Sequence, residues 1–331
     1  MTNCEYSIIV PVYNRPDEVA ELLESLTAQT VKDFEVIIVE DGSERDCRAV
    51  AEQYAGKLDV RYFAKKNSGP GPSRNYGAER AKGEWLIVLD SDVVVPPGYL
   101  QAIADELASA PADAFGGPDR AHPSFTDTQK AISYSMTSFF TTGGIRGGKK
   151  KLDKFYPRSF NMGVRRDVYL RRIVGAGCRC RLFPGAWVWH KRRTDMRKFF
   201  RQVYNSGIAR INLQKRHPGS LKLVHLLPTV FTVGVMALLL TSAAGRLLMH
   251  YDDPHRWYWL CAAPWLPILA YCAIIAADSA VRNRSLKIGL LSVGAAFVQL
   301  MGYGFGFIEA WWKRCILGKD EFQAFERNFY K

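Results

Sequence analysis

The sequence lacks the cysteine patterns that mark zinc-binding and disulfide-stapled proteins. Its seven cysteines form no CxxC pair and no zinc-ligand spacing, which argues against a cysteine-ligated metal. They are Cys4, Cys47, Cys178, Cys180, Cys261, Cys272 and Cys315. We therefore expect reduced, partly buried thiols in a cytoplasmic environment. We also expect no signal peptide, because the run Ser7–Val12 already has the character of a β-strand near the N-terminus.

Acidic residues are scarce between Thr141 and Lys222, where 22 Lys and Arg residues face only three Asp residues. With a net charge of +13, this basic block raises the possibility of a nucleic-acid partner. However, the block runs directly into a long hydrophobic segment, and Lys and Arg beside a membrane span are what the positive-inside bias produces. We therefore favour contact with membrane lipids and expect no nucleic-acid partner.

Charged residues are absent from three later stretches, Leu223–Ala244, Trp257–Ala277 and Ile288–Ile308. Each has the roughly 20 residues needed to cross the hydrocarbon core of a bilayer. The first two predict transmembrane helices. The third contains five glycines and Gln299, so a re-entrant or interfacial segment is an alternative for it. At the end of the basic block, directly before these stretches, residues 195–222 predict a basic amphipathic helix in the headgroup plane.

Strand-like and helix-like segments alternate through the first hundred residues. Apolar runs at Ser7–Val10, Phe34–Val39, Val60–Phe63 and Trp85–Leu89 are separated by stretches with helical periodicity. Two of these stretches predict helices from Glu44 to Tyr54 and from Ser73 to Ala81. This alternation predicts an α/β domain with a mostly parallel sheet. We expect that domain over residues 1–194, the interfacial helix over 195–222, and a membrane region with two or three transmembrane helices and a short basic tail over 223–331.

Two acidic clusters follow strands of this predicted sheet. Glu40-Asp41 follows the second strand, and Asp90-Ser-Asp92 follows the strand Trp85–Leu89. Ligands of parallel sheets bind at the carboxyl ends of the strands. An Asp-x-Asp pair there can hold a divalent cation that neutralises a diphosphate, although such acids are more often only solvated turn residues.

Four ordered motifs carry a resemblance to family 2 glycosyltransferases with the GT-A fold. They are Ser7-Ile-Ile-Val-Pro-Val-Tyr-Asn14, Val39-Glu-Asp-Gly-Ser43, Gly71-Pro-Ser-Arg-Asn75 and Leu89-Asp-Ser-Asp92. The resemblance continues more loosely through Ser159–Val164 and Val188-Trp-His190. It implies a Rossmann-like nucleotide-sugar-binding domain and an inverting transfer of a sugar from a nucleotide diphosphate, with UDP as the expected nucleotide, to an acceptor hydroxyl.

The resemblance also implies roles for individual residues. Pro11 and Tyr13 would line the base pocket, and Asp41 would accept a hydrogen bond from a pyrimidine ring. Arg74 would lie near the nucleotide, and Asp90 would approach the ribose. Asp92, with His190 as a further candidate, would ligate Mg²⁺ or Mn²⁺. The glycine- and lysine-rich segment Thr141–Lys151 is a candidate phosphate-binding loop or equally a solvated one.

The expected catalytic base is missing from its usual place. Inverting transfer needs a carboxylate that takes the proton of the acceptor hydroxyl. In the family, this acid belongs to an acidic pair before the strand that leads to His190, and here the interval Val164–Gly175 looks shortened. Only Asp167 remains, and it is explained better as the residue that begins the following helix than as the base. Asp119 is another acid that could serve as the base.

Two hypotheses about function follow. The first is a membrane-anchored, metal-dependent glycosyltransferase, hexosyltransferase-like, that acts on a lipid-linked or glycan acceptor in cell-envelope polysaccharide biosynthesis. We expect it in the inner or cytoplasmic membrane, with the catalytic domain facing the cytoplasm. The second is a non-catalytic homologue that binds a nucleotide sugar but has lost the segment bearing the base.

Overall fold

The structure is a computed structural model that describes residues 4–142, 160–170, 178–191, 195–248, 258 and 261–320. The described residues fall into two compact units. One holds residues up to His122 together with those from 160 to 191, and the other holds Pro123–Thr142 together with those from 195 to 320. The two helices that directly follow His122 therefore belong to the same unit as the long apolar helices near the C-terminus. The domain boundaries expected from the sequence stay predictions.

The first unit contains ten strands and five helices among its described residues. The strands are β1 (Tyr6–Val12), β2 (Phe34–Asp41), β3 (Asp59–Lys65), β4 (Trp85–Leu89), β5 (Val93–Val94), β6 (Ala114–Gly116), β7 (Asp119–Arg120), β8 (Asn161–Arg165), β9 (Cys180–Leu182) and β10 (Val188–His190). The helices are α1 (Pro16–Thr27), α2 (Arg48–Tyr54), α3 (Pro70–Ala78), α4 (Tyr99–Ser109) and α7 (Arg166–Leu170). The predicted alternation of strands and helices is confirmed.

Seven strands form one sheet in the order β3-β2-β1-β4-β8-β6-β9. The first four run parallel, whereas β8 is antiparallel to both β4 and β6. Three short strands form a second sheet in the order β5-β10-β7. The predicted mostly parallel α/β sheet is therefore confirmed, with the antiparallel β8 as the exception.

The central strands are buried on both faces because helices cover them. Every residue of β2 and β4 is buried, which explains the apolar runs Val36–Val39 and Trp85–Leu89 in the sequence. On α1, the four residues at helical spacing, Val19, Leu22, Leu23 and Leu26, are fully buried against this core. Burying each such side chain is worth about 1.5–3 kcal/mol. The apolar pattern thus fixes which face of α1 meets the sheet.

Two helices begin at other residues than the sequence suggests. The helix expected from Glu44 begins at Arg48, because the backbone N–H of Cys47 donates to the Glu40 carboxylate at 2.9 Å. The helix expected from Ser73 begins at Pro70, where proline suits the first turn because it has no N–H to leave unpaired. In both places the loop after a strand, and not helical propensity, sets the boundary.

The second unit is helical over its described residues. Its helices are α5 (Asp127–Thr137), α6 (Phe139–Thr142), α8 (Met196–Arg216), α9 (Leu227–Leu248), α10 (Leu266–Asn283) and α11 (Leu286–Trp311). Three of these helical stretches are long and apolar enough to cross a membrane: Leu227–Leu247, Ala263–Asn283 and Leu286–Ile316. The basic helix predicted from Asp195 is present as α8, and Asp195 caps it by accepting a hydrogen bond from Lys198 N at 2.7 Å. Most of the glycine- and lysine-rich segment Thr141–Lys151 lies outside the described residues.

Candidate active site

A crevice opens in the first unit where β1 and β4 part. Their pairing stops at Ile9 and Val88, whereas β1 continues to pair with β2 as far as Val12 and Glu40. Pro11 lies just past the last pair with β4, and proline cannot donate a hydrogen bond to extend that ladder. The strand order reverses at this point, which is where ligands bind in open α/β sheets.

Asn14 fixes the turn that follows β1. Its backbone is left-handed, with φ of +55°, a conformation that asparagine tolerates better than most residues. Its side-chain oxygen accepts hydrogen bonds from Glu44 N at 2.9 Å and Arg45 N at 3.0 Å, and its own N–H donates to Ser43 Oγ at 2.7 Å. Asn14 thus joins the turn after β1 to the turn after β2. Pro11 and Tyr13, expected near a base, lie half-buried beside this junction.

Asp41 organises the loop that leads into α3. Its carboxylate accepts hydrogen bonds from Ser68 N at 2.9 Å and Gly69 N at 2.8 Å, and it pairs with Lys65. Gly42 follows in a left-handed conformation, and a Cβ there would lie 2.7 Å from Asn67 N. The Asp-Gly pair therefore holds two loops together at the edge of the crevice. The expected bond from Asp41 to a pyrimidine stays a prediction.

Asp90, Asp92 and His190 come together as a carboxylate–histidine cluster whose ligand atoms all lie within 4.8 Å of one another. The two aspartates directly follow β4. His190 ends β10, which pairs antiparallel with β5, and in that register His190 lies opposite Val93. This pairing brings the imidazole beside Asp92, with His190 Nε2 3.2 Å from Asp92 Oδ1. The fold thus unites residues about 100 positions apart in the sequence.

Two arginines accompany the cluster. Arg15 Nη1 donates to Asp92 Oδ2 at 2.8 Å, and Arg74 Nη2 donates to Asp90 Oδ1 at 2.9 Å. Burial alone would raise the pKa of Asp92, but His190 and Arg15 outweigh it and hold that pKa well below its usual range. At Asp90 burial prevails over Arg74, and the pKa is raised. The two neighbouring carboxylates therefore differ in acidity because their partners differ.

The cluster fits a divalent cation. Asp92 Oδ1 is buried without a hydrogen-bond partner, a costly state that a bound ligand or ion relieves. The two carboxylates offer the oxygen ligands that suit Mg²⁺ or Mn²⁺. The two carboxylates and the two arginines cancel in charge, so a divalent cation would make this group of side chains positive. That charge complements a diphosphate.

Asp119 and Phe160 both pack against the imidazole of His190. Asp119 Oδ2 lies 4.0 Å from His190 Nδ1, and β7 and β10 pair side by side, which sets this approach. The ring of Phe160 stacks on the imidazole with centroids 4.8 Å apart. Asp119 is buried at 6% exposure. It thus meets His190 on the side away from the contact with Asp92.

Asp167 is not brought to the cluster. Strand β8 is antiparallel to β4 and pairs Arg165 with Trp85, the first residue of β4. Asp167 therefore lies at the amino-terminal edge of the sheet, beside the start of β4, whereas the cluster follows the end of β4. The five residues of β4 separate these two edges by about 17 Å. There Asp167 accepts hydrogen bonds from Arg165 Nε at 2.7 Å and Nη2 at 2.9 Å. This position does not support a role as the catalytic base.

The contact of Arg15 with Asp92 and the stacking of Phe160 on His190 were not predicted from the sequence. A signal existed for Arg15, because β1 and β4 are neighbours and the residues after both strands must face one another at the same sheet edge. The stacking of Phe160 on His190 had no such signal, because it depends on the pairing of β10 with β5 in a separate sheet. Five of the eleven residues of the shortened interval from Arg165 to Gly175, namely 171–175, lie outside the described residues.

The fold of the first unit is that of a GT-A domain, and comparison with known proteins agrees. Residues 7–172 match the family described as glycosyl transferase family 2. The chain belongs to this family. A mannosyltransferase of Pyrobaculum calidifontis, solved in complex with GDP-Man and Mn²⁺, shares the fold with a TM-score of 0.62 at 14% identity, over 94% of this chain and 88% of the other.

Curated relatives match shorter stretches. An uncharacterised glycosyltransferase of Haemophilus influenzae is 45% identical over 106 residues, which are 32% of this chain and 35% of the relative. The hyaluronan synthase of Pasteurella multocida is 35% identical over 126 residues, which are 37% of this chain and 13% of the synthase. The matches thus cover about a third or less of the relatives' own length.

Proposed function

We propose that this protein is a membrane-anchored, inverting glycosyltransferase that uses a nucleotide-diphosphate sugar, with UDP as the nucleotide, and a lipid-linked or glycan acceptor. The observation that carries the proposal is the cluster of Asp90, Asp92 and His190 at the switch point of the sheet, flanked by Arg15 and Arg74. The family relationship supports glycosyl transfer. The mannosyltransferase that shares the fold binds GDP-Man with Mn²⁺, which supports a donor of the same chemical class.

The cluster suits departure of a diphosphate. A bound Mg²⁺ or Mn²⁺, held by Asp92 and His190, would neutralise the negative charge that develops on the leaving group. Arg74 lies in the middle of α3, and its guanidinium can bind a phosphate oxygen pair or a base edge. Asp90 has one third of its side chain exposed, so it can still accept a hydrogen bond from a ribose hydroxyl while paired with Arg74.

Asp119 is proposed as a positioning residue and not as the base. A carboxylate behind a metal-binding histidine fixes the tautomer and orientation of the imidazole. The 4.0 Å approach of Asp119 to His190 Nδ1 leaves Nε2 directed at Asp92. Since His190 stands between Asp119 and the other cluster residues, Asp119 acts on the site through the imidazole.

The helical unit is proposed to attach the enzyme to the inner or cytoplasmic membrane, with the catalytic domain on the cytoplasmic face. The apolar helices support attachment by their length and composition. The basic helix α8 carries cations at both ends and suits the headgroup region of an anionic leaflet. The enzyme would then bind its acceptor at the membrane surface.

A second candidate function is donor binding without transfer. The observation that favours it is the position of Asp167 at the opposite sheet edge, paired with Arg165 and remote from the cluster. A chain that kept the donor site but lost the base would bind nucleotide sugars without turnover. Such a protein would serve as a partner subunit or a sensor of the donor.

One experiment separates the two candidates. The full chain in detergent is mixed with Mn²⁺ and a panel of nucleotide sugars, and both donor binding and release of free nucleotide are measured. Asp92→Ala removes a cluster residue, and Asp17→Ala is the matched control because Asp17 is 84% exposed and pairs only at the surface with Arg45. For a transferase we expect release that disappears in Asp92→Ala and persists in Asp17→Ala.

The other outcomes are equally informative. Binding that Asp92→Ala abolishes, without nucleotide release for any donor, would favour the non-catalytic candidate. No binding of any nucleotide sugar with any divalent cation would contradict both candidates.

A further inference from the structure

Phe139 and Phe140 form an exposed aromatic pair on the short helix α6. Their side chains are 68% and 41% exposed, and their rings meet edge to face with centroids 5.9 Å apart. Among the described residues before them, from Cys4 to Ser138, no large hydrophobic side chain is exposed. Two adjacent exposed aromatic side chains therefore need an explanation that a single one does not.

The position of α6 is fixed by the helical unit. The preceding helix α5 buries six consecutive residues, Ala131–Met136, and two of them, Ile132 and Met136, pack in one cluster with side chains of α8 and α11. The hydroxyl of Tyr271, on α10, donates to Phe140 O at 3.0 Å. The aromatic pair is thus presented at a defined place on the surface of this unit.

Tyr271 also connects α6 to the beginning of α9. Its ring packs against Phe231 with centroids 5.9 Å apart, and Phe231 lies four residues, or about 6 Å, along α9 from Leu227. The last charged residue before α9 is Lys222, and a charged side chain is costly in the hydrocarbon core. If α9 spans a bilayer, as the proposed membrane attachment requires, the bilayer surface lies near Leu227. Tyr271 then lies just inside it.

The charged end of α10 leads to the same placement. The charged residues of α10 nearest to Tyr271 are Asp278 and Arg282, and Arg282 Nε donates to Asp278 Oδ1 at 3.0 Å. Asp278 is seven residues from Tyr271, about 10 Å along the helix. By both measures Tyr271 lies on the apolar side of the charged residues. Phe140, bonded to the Tyr271 hydroxyl, lies within one tyrosine side chain of this level.

The helices that provide these two measures expose apolar side chains at the same levels. Val230, next to Phe231 on α9, is 65% exposed, and Leu269 and Ile274, on either side of Tyr271 in α10, are 60% and 46% exposed. A bilayer that covers these side chains reaches the level of the aromatic pair as well. The described chain carries no charged residue from Ala131 to Thr142, so no charge opposes its contact with lipid.

We propose that Phe139 and Phe140 insert into the lipid leaflet beside the first turns of α9. The partner is the region of a phospholipid bilayer where headgroups meet acyl chains, which takes up the apolar side chains of surface-lying helices. The inference rests on the proposed membrane attachment of the helical unit. It adds that the segment joining β7 to β8, two strands of the first unit, itself contacts lipid. A lipid-linked acceptor would be dissolved in the leaflet that this segment enters.

A spin label at Phe139→Cys tests this contact in the full chain, reconstituted into phospholipid vesicles. Six cysteines are replaced by alanine, at positions 4, 178, 180, 261, 272 and 315. The buried Cys47 is kept, and the background without a new cysteine checks that it stays unlabelled. Collisions of the label with O₂, which enters the bilayer, are compared with collisions with a water-soluble nickel chelate. Leu240→Cys, 67% exposed on α9, is the lipid reference, and Asp17→Cys, 84% exposed in the first unit, is the water reference.

For Phe139→Cys we expect collisions with O₂ to exceed those with the nickel chelate, as for Leu240→Cys and opposite to Asp17→Cys. If only Phe139→Cys behaves like the water reference, the inference is overturned and the membrane attachment stands. Few collisions with either reagent would also overturn it, because another part of the chain or a second copy then covers the position. If Leu240→Cys behaves like the water reference, the membrane attachment itself is contradicted, so the two failures are distinguishable.

The native chain provides a second measurement if the cysteine-poor variants fail to fold. A phospholipid that carries a photoreactive diazirine near the headgroup end of its acyl chain is cross-linked to the protein in vesicles. Trypsin then releases residues 131–146, with α6, as one peptide and residues 223–246, with most of α9, as another. We expect cross-links in both peptides, at Phe139 or Phe140 in the first. Cross-links in the α9 peptide alone would overturn the inference, and none in either would contradict the membrane attachment.

Discussion

The two edges of the large sheet both carry an aspartate paired with an arginine, but the pairs have different surroundings. At the carboxyl-terminal edge, Asp92 is bound to Arg15, has 16% of its side chain exposed and keeps one oxygen without a hydrogen bond. At the amino-terminal edge, Asp167 receives two hydrogen bonds from Arg165 and is 48% exposed. A buried pair with an unsatisfied atom is suited to a ligand. A solvated pair contributes little to stability or binding.

The largest effect is expected from reversing the charge of Arg15. In Arg15→Glu, a carboxylate replaces the guanidinium that lies 2.8 Å from Asp92, and the site loses two units of positive charge. Two like charges about 4 Å apart repel by roughly 4 kcal/mol at a surface-type dielectric constant. We expect the affinity for a nucleotide diphosphate with Mn²⁺ to fall by at least about 100-fold. Calorimetric titration of the full chain measures this change.

Arg45→Glu is the matched control for that reversal. Arg45 is 66% exposed and pairs with Asp17 outside the cluster. The same change in net charge there should leave the affinity nearly unaltered. Equal losses in both variants would mean that long-range charge, and not the contact between Arg15 and Asp92, governs donor binding.

Much of the fold could be predicted from the sequence because local patterns determine it. The apolar runs of β1, β2 and β4 sit where periodicity places them, and the buried face of α1 has the predicted helical spacing. The start of α2 could not be predicted in this way. It depends on Glu40 binding Cys47 N, a contact that exists only once the loop has closed.

The candidate site was partly accessible from the sequence. Parallel strands end at a common edge, so Asp41, Asp90 and Asp92 could be placed at one edge before the structure was known. The approach of Asp119 to His190 could not be foreseen, because it needs the pairing of two very short strands, β7 and β10. The edge occupied by Asp167 depends on the antiparallel direction of β8, which its sequence does not encode.

A smaller effect is expected from Asp119→Asn. The amide keeps the shape of the side chain but removes the charge that lies 4.0 Å from His190 Nδ1. Loss of such a partner behind a metal-binding histidine lowers metal affinity by about 10- to 100-fold. Mn²⁺ binding followed by electron paramagnetic resonance measures this without any turnover. The melting temperature is recorded in parallel, because a merely structural role would lower it without a specific loss of Mn²⁺.

Asp113→Asn tests the same chemical change at the other edge. Asp113 accepts a hydrogen bond from Arg179 N at 2.9 Å and lies near Arg165. We expect a modest loss of stability and unchanged Mn²⁺ affinity. If Asp113→Asn weakened Mn²⁺ binding as much as Asp119→Asn, the positioning role of Asp119 would be rejected.

Glu35 lies at the amino-terminal edge of the large sheet, and we expect it to contribute to the stability of the fold and not to donor binding. It is fully buried and accepts hydrogen bonds from Ser7 Oγ at 2.7 Å, Arg61 Nη1 at 2.9 Å and Lys82 N at 2.6 Å. In Glu35→Gln, an amide N–H₂ must face one of these donors. We expect the free energy of unfolding to fall by about 2 kcal/mol. Denaturant unfolding of the full chain in detergent, followed by circular dichroism, measures it.

The contribution of Glu35 should also depend on pH. Burial would raise the pKa of Glu35, but the bonds from Ser7, Arg61 and Lys82 outweigh it and lower that pKa. The stability it provides is therefore complete above the ordinary carboxyl pKa of about 4.3 and is lost as the pH falls through the lower folded value. The difference in the free energy of unfolding between wild type and Glu35→Gln should therefore disappear at acidic pH. Glu84→Gln, at an exposed position of the same edge, should show no such gap.

The smallest effect is expected from Asp167→Asn. Its bonds to Arg165 are solvent-exposed, and such pairs are worth about 0–1 kcal/mol, so unfolding should change little. Since Asp167 lies at the start of β4 and the cluster lies past its end, donor binding and nucleotide release should equal those of wild type. A loss of turnover with unchanged donor binding and stability would show that Asp167 reaches the acceptor. In that case the two edges of the sheet would not be separate in function, and the contrast between Asp92 and Asp167 would have to be abandoned.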